Sequence, residues 1–251
     1  MDRFFLLIQK QRTPKLKSKF KQHDFPLTSL MQREILVYYA LEKELWTRET
    51  YATALALLPP VLTERITAYQ DERDKQNRLC SKLMLQDMLS EFPSGMNLSL
   101  NNLHYTHSGR PKLSSDLDIN ISHSGNLVVC IAALHKKVGI DTEEIKPCAW
   151  KDYETYFQPE EWDQLLRSSS PYSDFYTLWT RKEALLKATG QGIFTDFSAS
   201  GNLSAKNRNA KEEYFIQKLE IDPAYITHLA ASFPAAPVRL KHWKPGFATI
   251  G

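Results

Sequence analysis

Residues 175–192 read FYTLWTRKEALLKATGQG, and this stretch constrains the fold of the chain more than any other. It is rich in strong helix formers and ends in Gly-Gln-Gly, so it predicts a helix at 176–189. On that helix Trp179, Glu183 and Lys187 lie four residues apart and share one face. Taken alone, the stripe is also typical of a surface helix whose Glu–Lys pair contributes roughly 0.2–0.5 kcal/mol.

The chain has 251 residues, which is enough for one large domain or two small ones. The net charge is only +3, but residues 1–23 carry seven Lys or Arg against one Asp. Such a segment is either a solvated tail or attracts an acidic partner, anionic lipid or nucleic acid. Because no nucleic-acid motif occurs, we do not expect nucleic acid as a ligand.

The cysteine pattern and the apolar runs predict the compartment. The three cysteines show no CxxC spacing, so neither a disulfide framework nor a zinc site is indicated. The apolar run at 4–8 is too short for a signal peptide, and no run is long enough to span a bilayer. We therefore expect a cytoplasmic protein without a membrane span.

Hydrophobic periodicity divides the chain into helices and short strands. The uninterrupted apolar run at 127–134 predicts a buried strand. Further strands are predicted at 34–41, 103–107, 119–122, 214–219, 225–232 and 238–243. Further helices are predicted at 51–58, 62–89 and 151–166. Both halves of the chain thus combine helices with short strands, which predicts two α+β halves with a boundary near Lys136.

Two carboxylates stand two residues apart after a short apolar strand, at Asp141 and Glu143. Alternate side chains of a strand point the same way, so both would face one side. Carboxylates held close together repel each other unless a cation or a proton lies between them. With Glu183 as a third, they would suit Mg²⁺, which prefers hard oxygen ligands. The alternative is that both are surface carboxylates at the start of a loop.

A histidine between two serines, Ser122-His123-Ser124, follows the predicted strand at 119–122. Such a group could donate to a phosphate or act in nucleophilic catalysis, although a lone histidine in a turn is commonly structural. The chain has no GxSxG sequence, so a serine hydrolase is not indicated. We expect most cations of the predicted helix at 62–89 to be solvated and one or two to bind phosphate; they are Arg65, Arg73, Lys75, Arg78 and Lys82.

Four motifs follow one another along the chain: GRP at 109–111, NISHS at 120–124, GIDTE at 139–143 and WTRKEALLK at 179–187. In this order they resemble the 4′-phosphopantetheinyl transferase superfamily, in particular its two-lobed group typified by surfactin-synthetase activators. The last two motifs are the diagnostic pair of that family. The resemblance covers residues 34–245 and leaves out the basic N-terminal segment.

The resemblance implies a fold of two similar α+β lobes related by a pseudo-twofold axis. Each lobe would have a small antiparallel sheet packed on helices, and the active site would lie in the cleft between the lobes. The predicted divisions are a basic N-terminal extension at 1–30, an N-terminal lobe at 31–136 and a C-terminal lobe at 137–251. The resemblance also implies a monomer.

The resemblance implies transfer of the 4′-phosphopantetheine moiety of coenzyme A to a serine of an apo acyl or peptidyl carrier protein. Adenosine 3′,5′-bisphosphate would be released, and Mg²⁺ would be required. Carriers of fatty-acid, polyketide and nonribosomal peptide synthesis all fit this reaction. Two rival interpretations are a non-catalytic module that binds coenzyme A or the carrier, and a Mg²⁺-dependent phosphohydrolase.

The resemblance also implies roles for single residues. The Mg²⁺ ligands would be Asp141, Glu143 and Glu183. Lys187 would neutralise the pyrophosphate, and Glu183 or Glu161 would be the base for the carrier serine. Glu161 rests on a less specific match, YFQPEE at 156–161. Contacts to coenzyme A would come from Arg65, Arg78, Arg110, Pro111, Ser122, His123, Asp141 and Lys187.

The chain departs from the family pattern at two motif positions. Arg110 replaces the commoner Lys, which keeps the positive charge but changes the donor geometry. Thr142 stands where an apolar residue is common, so its hydroxyl needs a hydrogen-bond partner if it is buried. Neither change removes a proposed catalytic group.

Overall fold

The computed structural model describes residues 34–107, 109–113, 116–190, 213–232 and 236–246, so the predicted extension at 1–30 lies outside the described residues. The strands are β1 (Ile35–Leu41), β2 (His104–Tyr105), β3 (Pro111–Lys112), β4 (Leu117–Ser124), β5 (Leu127–Leu134), β6 (Val138–Glu144), β7 (Tyr214–Leu219), β8 (Tyr225–Ser232) and β9 (Val238–His242). The α-helices are α1 (Arg48–Leu55), α2 (Pro60–Thr67), α3 (Glu72–Leu89), α4 (Pro159–Leu166) and α5 (Pro171–Thr189).

Two sheets pack face to face in the middle of the molecule, and helices cover their outer faces. The first sheet has the order β4-β5-β1-β9 and the second the order β6-β8-β7. Neighbouring strands are antiparallel in both sheets except β1 and β9, which run parallel. Helix α3 packs on the first sheet, α1 and α2 pack against α3, and α5 packs on the second sheet. The predicted α+β class is confirmed.

Strand β5 shows why residues 127–134 are uniformly apolar, since both of its faces are buried. Its odd-numbered residues face the second sheet; they are Leu127, Val129, Ile131 and Ala133. Its even-numbered residues face the helices; they are Val128, Cys130, Ala132 and Leu134. A strand between two cores cannot carry the polar residues that alternate along a half-exposed strand. The predicted buried strand at 127–134 is therefore confirmed.

Three helical predictions are corrected at their boundaries. The single helix predicted at 62–89 is two helices, because Asp71 starts α3 by accepting a hydrogen bond from Asp74 N at 2.7 Å. The helix predicted at 151–166 is a 3₁₀ helix (Trp150–Tyr156) followed by α4. Helix α5 begins at Pro171 and not at 176, since proline fits the first turn of a helix.

The last described strand, β9, returns to the first sheet. It pairs with β1, and the following residue Trp243 is buried, with its indole Nε1 donating to Asp87 Oδ2 of α3 at 2.6 Å. A strand from the second half of the chain thus completes the first sheet. The helices of the described residues include none that is long and apolar enough to cross a membrane.

Helix α5 lies unusually close to β6, and Gly139 is the reason. A Cβ atom at this position would lie 2.1 Å from the carbonyl oxygen of Ala184 and 2.4 Å from the amide nitrogen of Ala188. Only glycine leaves room for the helix backbone at this distance. The close approach places Glu183 and Lys187 of α5 beside the Asp141 carboxylate of β6.

We predict that Gly139→Ala destabilises the protein by about 3 kcal/mol or more, because the added methyl group meets backbone atoms that cannot move without shifting α5. Urea unfolding followed by circular dichroism measures the change. Gly95→Ala is the matched control, because a Cβ at Gly95 meets no atom within 4 Å. Equal stability of the two variants would contradict the packing argument.

Candidate active site

A ladder of side chains joins the edges of the two sheets and forms the floor of the candidate site. Four alternate residues of β4 accept hydrogen bonds from four alternate backbone N–H groups of β6, and each partner lies twenty positions further along the chain. The pairs are Asp118 with Val138, Asn120 with Ile140, Ser122 with Thr142 and Ser124 with Glu144, at 2.9, 3.1, 3.4 and 3.2 Å. The ladder satisfies donors that an edge strand would otherwise leave unpaired.

Each of the two serines in the ladder also holds a carboxylate. Ser122 Oγ donates to Asp141 Oδ1 at 2.9 Å, and Ser124 Oγ donates to Glu143 Oε2 at 2.7 Å. A hydroxyl has one hydrogen to donate and two lone pairs to accept with. The ladder therefore fixes both carboxylates that the sequence places on one side of β6.

Lys187 completes the contacts of Asp141. Its Nζ lies 2.5 Å from Asp141 Oδ1 and 3.2 Å from Ser122 Oγ. The Lys187 side chain is 28% exposed and that of Asp141 only 5%, so a buried carboxylate meets an ammonium group open to the cleft. Ser122 donates its hydrogen to Asp141 and accepts from Lys187 and Thr142 N, which uses its full hydrogen-bonding capacity.

Glu183 is a buried carboxylate beside two others. The residue is 5% exposed, and its Oε1 has no hydrogen-bond partner. The pKa of Glu183 is raised to about 7, chiefly by burial and next by the charge of Asp141, against the opposing charge of Lys187. The pKa of Glu143 is also raised, first by burial and then by Asp141. The three carboxylates thus lie close enough to repel one another.

The donor set fits a hard divalent cation. Asp141 Oδ2 and Glu183 Oε1 are both buried without a hydrogen-bond partner, an expensive arrangement unless a cation or a proton is present. Within the described ranges, no three side chains of the metal-ligating types are already gathered as a metal site. Lys187 instead neutralises Asp141. The metal ligands therefore remain a prediction.

Positive groups of α3 lie near Lys187, since Arg78, Lys82 and Lys187 all lower the pKa of His123. Arg78 contacts Asp74 at 3.0 Å, and its guanidinium lies 3.6 Å from the centroid of the Tyr69 ring. Lys82 is 8% exposed, and its pKa is lowered to about 8, chiefly by burial and also by neighbouring arginines. Lys82 is therefore not one of the solvated cations that the sequence predicts for most of this helical region, because the inner face of α3 buries it.

His123 faces this positive group from β4. The pKa of His123 is lowered to about 4, chiefly by burial and further by the charges of Arg78, Lys82 and Lys187. The ring is thus neutral at pH 7, and its 3.6 Å contact with Asp74 is not an ion pair. Arg78 and Lys187 are each paired with a carboxylate, whereas no described carboxylate lies within ion-pair distance of Lys82, so Lys82 favours an anionic ligand.

Three further predicted contacts to coenzyme A are placed differently. Arg65 is stacked on the Tyr105 ring, with 3.8 Å between the guanidinium carbon and the ring centroid. Pro111 is buried in the β2–β3 ribbon. Arg110 Nη2 donates to Asp118 Oδ2 at 2.6 Å and to the carbonyl oxygen of Val138 at 2.8 Å. Arg110 therefore braces the first rung of the ladder through Nη2, while its Nε and Nη1 have no hydrogen-bond partner, and its contact to coenzyme A stays a prediction.

Glu161 is not free to act as a base. Its Oε2 accepts from Gln158 N at 3.0 Å at the start of α4 and lies 2.7 Å from Lys182 Nζ. The Lys182 side chain is 1% exposed, so this buried ion pair joins α4 to α5. Sequence reasoning left Lys182 without a role, because its partner lies on another helix.

Trp179 has a packing role in the structure. Its ring lies 5.3 to 5.9 Å, between centroids, from the rings of Tyr153, Tyr156 and Phe175. Such contacts fix the helix that carries Glu183 and Lys187. A separate hollow of about 630 Å³ lies between the α1–α2 turn and residues 86–101, and its lining residues include no charged side chain. The carboxylate cleft is therefore the better candidate for chemistry.

Two family models match adjacent parts of the chain. Residues 44–135 match the model described as 4′-phosphopantetheinyl transferase, N-terminal, and residues 137–236 match the 4′-phosphopantetheinyl transferase superfamily. Together they cover most of the chain, including every residue of the candidate site. The chain belongs to the 4′-phosphopantetheinyl transferase superfamily.

Curated transferases of this superfamily are similar to the chain over different lengths. It is 26% identical to the 4′-phosphopantetheinyl transferase Sfp of Bacillus subtilis over 196 residues, 73% of this chain and 86% of Sfp. It is 33% identical to the transferase gsp of Aneurinibacillus migulanus over 130 residues, 50% of this chain and 53% of gsp. A solved holo-acyl-carrier-protein synthase of Thermotoga maritima matches 38% of this chain at 18% identity, with a TM-score of 0.30.

The structure explains how Thr142 is accommodated at a motif position where an apolar residue is common. Its Oγ1 lies 2.7 Å from Thr227 Oγ1 on the neighbouring strand β8, and both residues are buried. Each hydroxyl therefore supplies the partner that the other needs. The departure from the apolar pattern is compensated within the second sheet.

We predict that Lys182→Met destabilises the transferase by about 3 kcal/mol, because it leaves the Glu161 carboxylate, only 17% exposed, without its counter-charge. Thermal and urea unfolding measure the change. In the control Arg167→Met the partners are 82% and 65% exposed, so the loss should stay below about 1 kcal/mol. Equal losses of stability in the two variants would show that the Lys182–Glu161 pair contributes no more than an exposed ion pair.

We predict that Glu183→Gln stabilises the protein above pH 7 when divalent cations are removed with EDTA. The folded pKa of about 7 exceeds the ordinary value of 4.5, so the folded state binds more protons between these values. The wild type therefore loses stability as pH rises through this window, on the order of 1–3 kcal/mol in total, and the variant does not. Urea unfolding between pH 5 and 8 measures the difference, and parallel curves would contradict the raised pKa.

Proposed function

We propose that the protein transfers the 4′-phosphopantetheine moiety of coenzyme A to a serine of an apo acyl or peptidyl carrier protein. The observation that supports this best is the meeting of Asp141, Glu143, Glu183 and Lys187 where β6 and α5 cross, in a chain of this superfamily. Coenzyme A would lie in the cleft between these groups and the cations of α3.

In this reaction the serine oxygen attacks the phosphorus that carries the pantetheine arm. The bond from that phosphorus to the bridging oxygen of the pyrophosphate breaks, and adenosine 3′,5′-bisphosphate leaves. The serine proton passes to a base. Because a serine hydroxyl is a weak nucleophile and the pyrophosphate is anionic, the site must remove a proton and neutralise negative charge.

The described residues supply both requirements. Glu183 is the proposed base, since its carboxylate is buried beside Asp141 and its Oε1 is unpartnered. Lys187 is exposed to the cleft and is proposed to neutralise the pyrophosphate. Arg78, His123 and the buried Lys82 are proposed to surround the remaining phosphate charge. Glu161 is left out, because the α4 start and Lys182 occupy its carboxylate.

Asp141, Glu143 and Glu183 are the residues that would hold Mg²⁺. When bound, the ion would offset the charge of the pyrophosphate. The unpartnered oxygens of Asp141 and Glu183 support this assignment. Ser122, which has no spare hydrogen-bonding capacity, is proposed to orient Asp141 and not to contact a phosphate.

The division into lobes at 31–136 and 137–251 is also proposed. The end of β5 and the start of β6, which enter different sheets on either side of it, support this boundary. Strand β9 then belongs to the second lobe by its position in the chain but pairs with β1 in the first sheet. A basic extension at 1–30, a cytoplasmic location and a monomeric state remain predictions.

We predict that the full chain, given coenzyme A and Mg²⁺, adds the phosphopantetheine mass to at least one of a panel of apo carrier proteins. The panel contains fatty-acid, polyketide and peptide-synthetase carriers, and intact-protein mass spectrometry detects the product. Glu183→Gln should reduce kcat/KM by at least about 100-fold while the protein stays folded, because the base is lost.

The matched control is Glu220→Gln, whose carboxylate is 81% exposed, and it should keep wild-type turnover. If no carrier protein of the panel gained the phosphopantetheine mass, the proposed transfer would be wrong. If coenzyme A still bound in that case, a non-catalytic binding module would be the better interpretation. Near-normal turnover of Glu183→Gln would remove Glu183 from the mechanism but not the reaction.

A further inference from the structure

The hydroxyl of Ser124 contacts the carboxylate of Glu143, a proposed metal ligand. It contacts no other charged group among the described residues. Its Oγ donates to Glu143 Oε2 at 2.7 Å and accepts from Glu144 N at 3.2 Å. The serine is therefore held by the backbone of β6 while it holds a side chain of the same strand. Neither bond is visible in the local sequence, because the partners lie nineteen and twenty positions apart.

Glu143 needs such a contact more than Asp141 does. Asp141 is paired with Lys187 at 2.5 Å. No cation of the described residues lies within ion-pair distance of the Glu143 carboxylate, which is repelled by the charge of Asp141. A glutamate side chain also has more rotatable bonds than an aspartate, so without a fixed donor it would turn away from the other carboxylates.

We propose that Ser124 is a positioning residue that presents the Glu143 carboxylate to the divalent cation. The inference rests on the proposed function, since it assigns Glu143 to the metal. A short hydrogen bond to an ionised carboxylate is stronger than one between neutral groups, and it leaves the second oxygen of Glu143 for a ligand. Residues that orient metal-binding carboxylates typically change metal affinity about 10–100-fold when they are removed.

The ladder itself supplies a control for the structural part of this role. Asn120 accepts from Ile140 N at 3.1 Å, but its described hydrogen bonds include none to a carboxylate. Removing the Asn120 side chain takes away a rung of the ladder and leaves Glu143 as it is. Loss of Ser124 should therefore weaken metal binding, and loss of Asn120 should weaken only the fold.

The test is the affinity of the full chain for Mn²⁺, measured by electron paramagnetic resonance in the presence of coenzyme A. Ser124→Val and Ser124→Thr form the decisive pair, because their side chains have nearly the same shape and differ in the hydroxyl. We expect the Kd for Mn²⁺ to rise about 10-fold in Ser124→Val and to stay within about 3-fold of the wild type in Ser124→Thr. Asn120→Ala should lower the unfolding temperature and leave the Kd unchanged.

A second readout is the Mg²⁺ concentration that gives half-maximal transfer. It should rise about 10-fold in Ser124→Val, whereas kcat at saturating Mg²⁺ should change less than about 3-fold. Equal Mn²⁺ affinity of the Val and Thr variants would overturn the role of Ser124 but leave the proposed transfer untouched. A wild type that binds no Mn²⁺ would overturn both, and circular dichroism checks that each variant is folded.

Discussion

The hydrogen-bond ladder between β4 and β6 is the interaction on which the rest of the structure depends. Strands β4 and β6 lie at the edges of different sheets. They are joined by side chains of β4 and not by backbone-to-backbone pairing. Side chains of β4 supply acceptors for the N–H groups of β6, with Arg110 bracing the first rung. Because each buried hydrogen bond contributes about 1 kcal/mol and an unmet donor costs more, the sheets are fixed in a single register. That register brings Ser122 and Ser124 to the carboxylates of β6.

A second constraint places α5 against the same strand. Without a side chain at Gly139, the backbone of α5 approaches β6 closely enough for Lys187 to reach Asp141. The aromatic contacts of Trp179 and the buried Lys182–Glu161 pair then fix the position of the helix from its other sides. The WTRKEALLK motif therefore carries both the packing residues Trp179 and Lys182 and the proposed catalytic residues Glu183 and Lys187.

Charge repulsion and unpartnered buried oxygens in the candidate site lower the stability of the fold. Three carboxylates are close enough to raise the pKa of Glu183 and Glu143, and buried oxygens of Asp141 and Glu183 have no partner. Across the cleft, burial and mutual repulsion lower the pKa of Lys82 and His123. Under the proposed function, a ligand that carries both a cation and phosphates would offset these charges.

The sequence by itself determined most of the helices and strands, and it predicted which charged side chains share a face. Strands 127–134, 214–219 and 225–232 have the predicted bounds, since the alternation or run of apolar residues along a strand is a local property. The helical spacing likewise put Glu183 and Lys187 on one face. The strand predicted at 119–122 extends over Leu117–Ser124, and nothing local identified the partners of its alternate Asp, Asn and Ser residues.

Only the tertiary structure decided which of these groups meet. It turned Glu161 and Lys182 into a buried pair, made Arg110 a brace and gave Ser124 its contact with Glu143. Helical and strand patterns follow from bonds between near neighbours in the chain, whereas these contacts join residues that only the packing of two sheets and two helices brings together.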